Sequence, residues 1–409
     1  MTTTLFTNAA MLDTEAGAIL ADRQVLVRDG KIAEVETGRV ATAADRTVDL
    51  KGKVLMPGLC DAHVHVTAVT ADLARQLRLS PFYVAAHTAD ILKAMLLRGF
   101  TTVRDAGGAD WGLAQAVEEG VMVGPRILYC GHGLSQTGGH GDMRGPGEGD
   151  LDRCLCCAGL DRVCDGVTEV RRATRDEIRK GAHQIKIMAG GGVASPTDRI
   201  DSTQFSFEEI DAIVEEASAA NLYVMAHAYT AKSINRLLGR GVRTIEHGNL
   251  LDEESCRLFL RHGAYLVPTM ATYEALAKEG LGAGMPADLH RKVFEVLDAG
   301  YRALEMAHRA GVAMAFGSDL LGAMHKHQLN EFNIRKAVVP AADLIRAATS
   351  MAAEACMRQG EFGVIAVGAR ADLLVLDRNP LDDVTVLTQP ELHLKAVMKA
   401  GRFHKDELR

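Results

Sequence analysis

The chain has 409 residues, 47% hydrophobic and 24% charged, enough apolar material to bury the core of one large domain and a smaller companion. A net charge of −7 and only 5% aromatic residues leave no basic stripe for phosphates and few rings for base stacking, so nucleic acid is not an expected partner. With no run of about 18 apolar residues, no basic leader, and KDEL at 405–408 followed by Arg409, a cytoplasmic protein with no membrane partner and reduced thiols is expected.

Residues 1–57 alternate apolar and polar side chains around turn signals, as in VLVRDGKIAEV, where Asp29 and Gly30 suit a tight hairpin. From residue 58 strand-like runs follow at GLCDAHVHV (58–66), TTVRDAG (101–107), PRILYCG (125–131), QIKIMAG (184–190), YVMAHAY (223–229), TIEHGN (244–249), YLVPTM (265–270) and AMAFGSD (313–319). Helical patterns lie between and after them. In FEEIDAIVEEASAAN (207–221) Ile210, Ile213, Val214 and Ala217 share one face opposite the glutamates, and AADLIRAATSMAAEACM (341–357) should follow the eighth strand. Eight strand-and-helix units predict an α/β fold, a (β/α)8 TIM barrel. Residues 362–409 return to the alternating pattern of the N-terminus. A closed barrel has no free edge to receive these strands, so the two ends are expected to pair in one small β-sandwich domain, 1–57 with 362–409, beside a barrel domain, 58–361. Two long connections, 132–170 and about 271–286, follow C-terminal strand ends and are expected to overhang the mouth as lids.

In a strand, side chains at i and i+2 share a face, so His63 and His65 should both point into the barrel while Ala62 and Val64 face the helices. Lys186, His227, His247 and Asp319 fall at or near the C-terminal ends of other strands, where barrels of this kind place their chemistry. Lys186 is the informative member. An ammonium has three donors and no acceptor, but burial among aliphatic residues favours the neutral amine, which can add carbon dioxide to give a carbamate able to bridge two cations. Histidine with carboxylate-type oxygen suits zinc best among common metals, manganese, cobalt and nickel remaining open. Two divalent ions there would activate water and polarise a carbonyl, with Asp319 passing the proton to a leaving nitrogen.

PGLCDAHVHV, Lys186, His227, His247 and Asp319, in that order, resemble the amidohydrolase superfamily along essentially the whole chain. The resemblance implies that His63, His65 and Asp319 bind the more buried of two metal ions, that His227 and His247 bind the other, and that N6-carboxylated Lys186 bridges them. The phrases SQTGGHGD, QIKIMAGGGVASPTD, AHAYT, IEHGN and GSDLLGAMHKHQ resemble its prolidase-like metallo-carboxypeptidase branch, whose members release an amino acid from dipeptides or N-acyl amino acids, ochratoxin among them. This implies a small-molecule substrate with an amide bond and a free carboxylate, whose carbonyl meets His140 and whose carboxylate meets Tyr229, and a homo-oligomeric assembly. His140 lies between glycines on the first long loop, and Tyr229 two residues beyond His227 on the same face.

His325 and His327, just past Asp319, are candidates for lining the pocket or capping the next helix, and Asp105 for orienting a ligand or pairing with Arg104. The glycines 190–192 read as a flexible turn, lacking the Lys and Ser/Thr of a phosphate loop. Cys154, Cys156, Cys157 and Cys164 lack the paired spacing of a zinc knuckle and read as exposed thiols on a lid. Two rival readings share the barrel. A mononuclear cyclic-amide hydrolase or deaminase of the imidazolonepropionase kind would not need Lys186, and a non-catalytic barrel kept for binding would have lost ligands.

Overall fold

The computed structural model describes residues 3–38, 40, 42–148 and 158–408. Parallel strands Leu59–Val64, Phe100–Asp105 and Arg126–Tyr129 pair in order, and Ile185–Met188, Val224–Thr230, Thr244–Leu250 and Tyr265–Val267 pair in order beyond them. The two groups meet where the third strand resumes as Gly133–Ser135 and Leu134 comes opposite Ile187. These are barrel strands 1 to 7. The predicted eighth strand forms only one ladder bridge, Leu266 to Met314, yet it closes the ring. Ala315 N donates to Leu266 O on one side, and Ala62 N to Phe316 O on the other. The run ends there because the chain turns at Asp319, whose φ is +52°.

The helix Phe207–Ala219 buries Ile210, Ala212, Ile213 and Ala217 and starts at a reciprocal cap between Ser206 and Glu209. The expected helix 341–357 is broken instead into Ala341–Ala347 and Ser350–Ala355. The break has a visible cause: the carbonyls of Ala347 and Ala348 accept from Phe316 N and Cys60 N of the barrel wall. Between strand 8 and this pair lie two further short helices, Gly322–His327 and Asn330–Arg335. The expected loop 271–286 is mostly the helix Met270–Glu279, a run of good helix formers, followed by the long helix Ala287–Ala310. Within the first long loop, Asp161–Val163 pairs in parallel with Gly133–Ser135.

The termini build one continuous eight-stranded mixed sheet, joined where Val54–Pro57 pairs antiparallel with Leu373–Leu376. Asp29 (φ +49°) and Gly30 (φ +77°) form the expected hairpin turn between Ala18–Arg28 and Lys31–Thr37. In a flat sheet the strands holding Phe6 and Phe403 would stand roughly 19 Å apart, four spacings of about 4.8 Å. Their rings are 6.1 Å apart, and Arg46 reaches Asp406 at 2.7 Å, so the sheet folds over onto its own core of Phe6, Val25, Leu55, Leu373 and Met398. Asp372 ties this sheet to the barrel by accepting from Arg126 Nη1 at 2.8 Å and from Ala400 N at 2.7 Å.

Candidate active site

Strand 1 carries both histidines to the mouth through an irregularity. Its register with strand 2 shifts between Asp61 and Val64, and Ala62, expected to face the helices, belongs to a cluster that joins Leu128, Val267 and Ala315 of neighbouring strand segments to Ala352, Ala353 and Ala355 of the helix Ser350–Ala355. Val64 packs in the main core. Asp61 holds the bend, accepting from His63 N at 3.1 Å, Ser318 N at 3.1 Å and Gln328 Nε2 at 2.9 Å.

His63 Nδ1 lies 2.7 Å from Glu246 Oε2 and His65 Nδ1 2.9 Å from the carbonyl of Gly107. A carboxylate and a carbonyl only accept, so both Nδ1 atoms donate and both Nε2 atoms face the cavity. Each Nε2 stands 3.4 Å from Asp319 Oδ1, and ligand atoms of the three residues all lie within 4.8 Å of one another. His63 Nε2 is buried with no hydrogen-bond partner. Two imidazole nitrogens and a carboxylate converging on one point, one of them orphaned, fit a divalent cation. Burial, and next the charge of Lys186, oppose protonation of His63, but Asp319 and Glu246 outweigh them and lift it above the ordinary histidine value. A proton there competes with a cation for the same lone pair.

The other predicted ligands surround this point. The rings of His63 and His247 are 5.0 Å apart and those of His227 and His247 4.5 Å. Burial keeps His65 neutral, its value pushed down to about 3, and with nearby positive groups holds His227 and His247 well below the ordinary histidine range. Burial works against ionisation of Asp319, but His63, and then His65 and Lys186, lower it to about 2. Lys186 is 1% exposed, beside the same cavity, and has no hydrogen bond or ion pair among the described residues. His247 (φ +78°), within strand 6, and Thr269 (φ +44°) and Asp319 (φ +52°), just past strands 7 and 8, all adopt left-handed backbone, a strain that concentrates at working sites. His247 Nδ1 also meets Thr269 Oγ1 at 2.7 Å.

The cavity, about 50 Å³, is polar at its base and walled by apolar residues such as Leu73, Met143, Val193, Leu276 and Leu321. His140 lines it, stacked on His227 with ring centres 4.1 Å apart. Tyr229 lines it too and accepts from Tyr273 Oη at 3.1 Å. His325 does not line it; its Nε2 is 3.2 Å from the carbonyl of Ala68. His327 pairs with Glu279 at 2.7 Å. Asp105 does not pair with Arg104 but accepts from the backbone of Val66, Gly107 and Ala109, bracing both strand 1 and the carbonyl that orients His65. The glycines 190–192 are not a loose turn, since Gly191 N donates to Ser202 O and Gly192 N to Asp198. Cys164 is buried rather than exposed, while Cys154, Cys156 and Cys157 lie outside the described residues.

Sequence reasoning missed Glu246, which joins His63 to Arg104 through two contacts of 3.0 and 3.1 Å in the barrel interior. Its signal was available: two opposite charges in otherwise apolar strands, one of them next to His247. It also missed Asp198, Ser195 and Tyr273 around the two substrate-facing candidates.

Fold and site together define a metal-dependent hydrolase built on a (β/α)8 barrel, with His63, His65 and Asp319 as its metal triad. Residues 54–403 match the sequence model of the amidohydrolase family, and the chain belongs to it, as an enzyme acting on amide and peptide C–N bonds. It is 33% identical over 365 residues to the ochratoxinase of Aspergillus niger, covering 86% of this chain and 76% of that protein; the crystal structure of that enzyme superposes with a TM-score of 0.86 at 30% identity, over 99% of this chain and 96% of the other. A prolidase solved with N-methylphosphonate-L-proline is 51% identical, with a TM-score of 0.96 over 99% of this chain and all of that one.

Proposed function

We propose that this enzyme is a two-metal, carboxypeptidase-like amidohydrolase that releases an amino acid from dipeptides or N-acyl amino acids, ochratoxin A among the candidate substrates. The observation that carries the reading is the convergence of His63 Nε2 and His65 Nε2 on Asp319, with His227, His247 and Lys186 around the same cavity. In this reading His63, His65 and Asp319 would hold one ion and His227 and His247 the other, with Lys186, carboxylated on Nζ, as a ligand they would share; zinc is the expected metal. Bound there, divalent ions supply Lewis-acid polarisation of the scissile carbonyl and lower the pKa of water to about 7. Asp319, ionised at neutral pH, takes the proton of the attacking water and returns it to the leaving nitrogen. His140 contacts the carbonyl oxygen. Tyr229, its oxygen already accepting from Tyr273, keeps its own proton to donate to the substrate carboxylate. The apolar wall receives the side chain.

Lys186 favours this reading over the mononuclear one, because it is buried beside the metal triad with no hydrogen bond or ion pair among the described residues, where a carbamate would meet two cations. The terminal sheet, 1–57 with 362–409, is read as a supporting domain for the barrel, 58–361, and the protein as a cytoplasmic homo-oligomer; among the described residues no helix is long and apolar enough to cross a membrane. The test is a hydrolysis panel of dipeptides ending in proline and other residues, N-acyl amino acids and ochratoxin A, reading the released amino acid. Turnover confined to substrates with a free carboxylate is expected. Activity only on cyclic amides or on amidines would replace this reading with the mononuclear one.

A further inference from the structure

His140 projects from the loop after strand 3, yet the polar contacts of its ring come from the loop after strand 4. Its Nδ1 is 3.0 Å from Ser195 Oγ and 3.6 Å from Asp198 Oδ2, and its backbone N donates to Gln204 Oε1 at 2.9 Å. Asp198 organises that loop in turn, accepting from Gly192 N at 3.1 Å, from Gln204 Nε2 at 3.0 Å and from Ser195 Oγ. Glycine is required at 192 because a Cβ there would stand far closer than van der Waals contact to Cε1 and to both nitrogens of the His140 ring. From residue 190 to 204 the backbone has a single ladder bridge, Gly190 to Thr203. Something other than secondary structure has to hold it.

Lys292 supplies that hold. It stands on the helix Ala287–Ala310, outside the cavity lining, and its Nζ donates to the carbonyls of Asp198 at 2.8 Å, Ser195 at 2.9 Å and Gly192 at 3.3 Å. The same Nζ is 3.5 Å from Asp198 Oδ1. An ammonium has three protons, and all three go to one short loop. Without the cation, the three carbonyl dipoles would face one another with no donor between them. We propose that Lys292 is a positioning residue for the reaction: by gathering residues 192–198 around its ammonium it sets Asp198 and Ser195, and through them holds His140 where the scissile carbonyl meets it. This rests on the reading of His140 as the carbonyl contact. It makes the helix after strand 7, the loop after strand 4 and the loop after strand 3 one mechanical unit over the mouth.

The test uses Lys292→Met, Lys292→Arg, His140→Ala and the double variant Lys292→Met/His140→Ala, each assayed as metal-loaded enzyme on the best substrate of the hydrolysis panel. Lys292→Met should lower kcat about 10- to 100-fold, the usual effect of removing a group that orients an active residue, with KM within about twofold. Metal content and thermal midpoint should stay close to the parent. Hydrogen exchange should quicken in the segment 190–199, and Lys292→Arg, which restores charge and donors, should recover most of kcat. In the His140→Ala background the lysine substitution should have no further effect. An equal fall in kcat with and without His140, unchanged exchange in 190–199, or a loss that tracks metal loss or unfolding overturns the proposal. If His140→Ala alone leaves kcat intact, it is the carbonyl-contact reading that fails.

Discussion

Glu246 shows how one side chain serves both stability and chemistry. It is fully buried between the Arg104 guanidinium and His63 Nδ1; burial would raise its carboxyl, but Arg104, and then His63, bring it down to about 2. Glu246→Gln leaves the Arg104 cation buried and uncompensated and should cost about 3–5 kcal/mol in urea unfolding. It should also weaken metal binding about 10- to 100-fold in a competition titration. A carboxyl depressed from 4.5 contributes stability that is whole above that value and lost as pH falls toward 2. A histidine depressed from 6.5 to about 3, as His65 is by burial, binds protons first in the unfolded chain, so stability begins to fall below about pH 6.5. His227 and His247 act in the same direction, whereas His63 and the buried carboxyls of Asp61, raised by burial to about 6, and of Asp105 and Glu331, each raised by burial to about 7, oppose them. Unfolding free energies of metal-free protein between pH 3 and 8 should therefore fall most steeply below about 4.5, where the depressed carboxyls add to the histidines and the raised ones no longer oppose them, and Glu246→Gln should flatten that limb. Asp319→Asn, which keeps size but cannot take a proton, should lower kcat about 10²- to 10⁴-fold in a steady-state assay. The metal triad was legible in the sequence because the two imidazoles of strand 1 are matched by Lys186, His227, His247 and Asp319 at or near the C-terminal ends of other strands. Glu246 left only the hint of a charge opposite Arg104 in otherwise apolar strands, and Lys292 none, since a single charge on an amphipathic helix shows its partner only after folding.

At the scale of elements, alternation and helical periodicity located strands 1 to 7 but not the local departures that aim the side chains. The shift in strand 1 is hidden because CDAHVHV alternates on paper; only the hydrogen bonds to Asp61 show where the pleat slips. The break at 348–349 is equally silent, as Ala347 and Ala348 are good helix formers whose carbonyls the barrel wall takes. The turn at 190–192 looked loose because glycine permits freedom, whereas here it permits contact. Gly192→Ala should displace the His140 ring and lower kcat at least tenfold while bound metal, measured by atomic emission, stays at the parent level.

Over the whole molecule, the sequence indicated that the two ends meet, and the pairing of 54–57 with 373–376 is where they do. That the joined sheet folds over on itself was beyond the pattern, because curvature depends on contacts such as Phe6 with Phe403 that no local run encodes. Asp372 couples this sheet to the barrel through Arg126 and Ala400, far from the metal triad in the fold. Asp372→Ala should lower the thermal midpoint by several degrees, about 2–4 °C per kcal/mol for domains of 150–250 residues, and leave kcat of the folded enzyme unchanged. The account as a whole depends on cations drawn together by His63, His65, Asp319 and their neighbours. The most direct measurement is to strip the enzyme with a chelator and titrate zinc back in the presence of bicarbonate while following amide hydrolysis: activity should be absent at the start and saturate near two equivalents per chain, whereas full turnover by the stripped protein would contradict it.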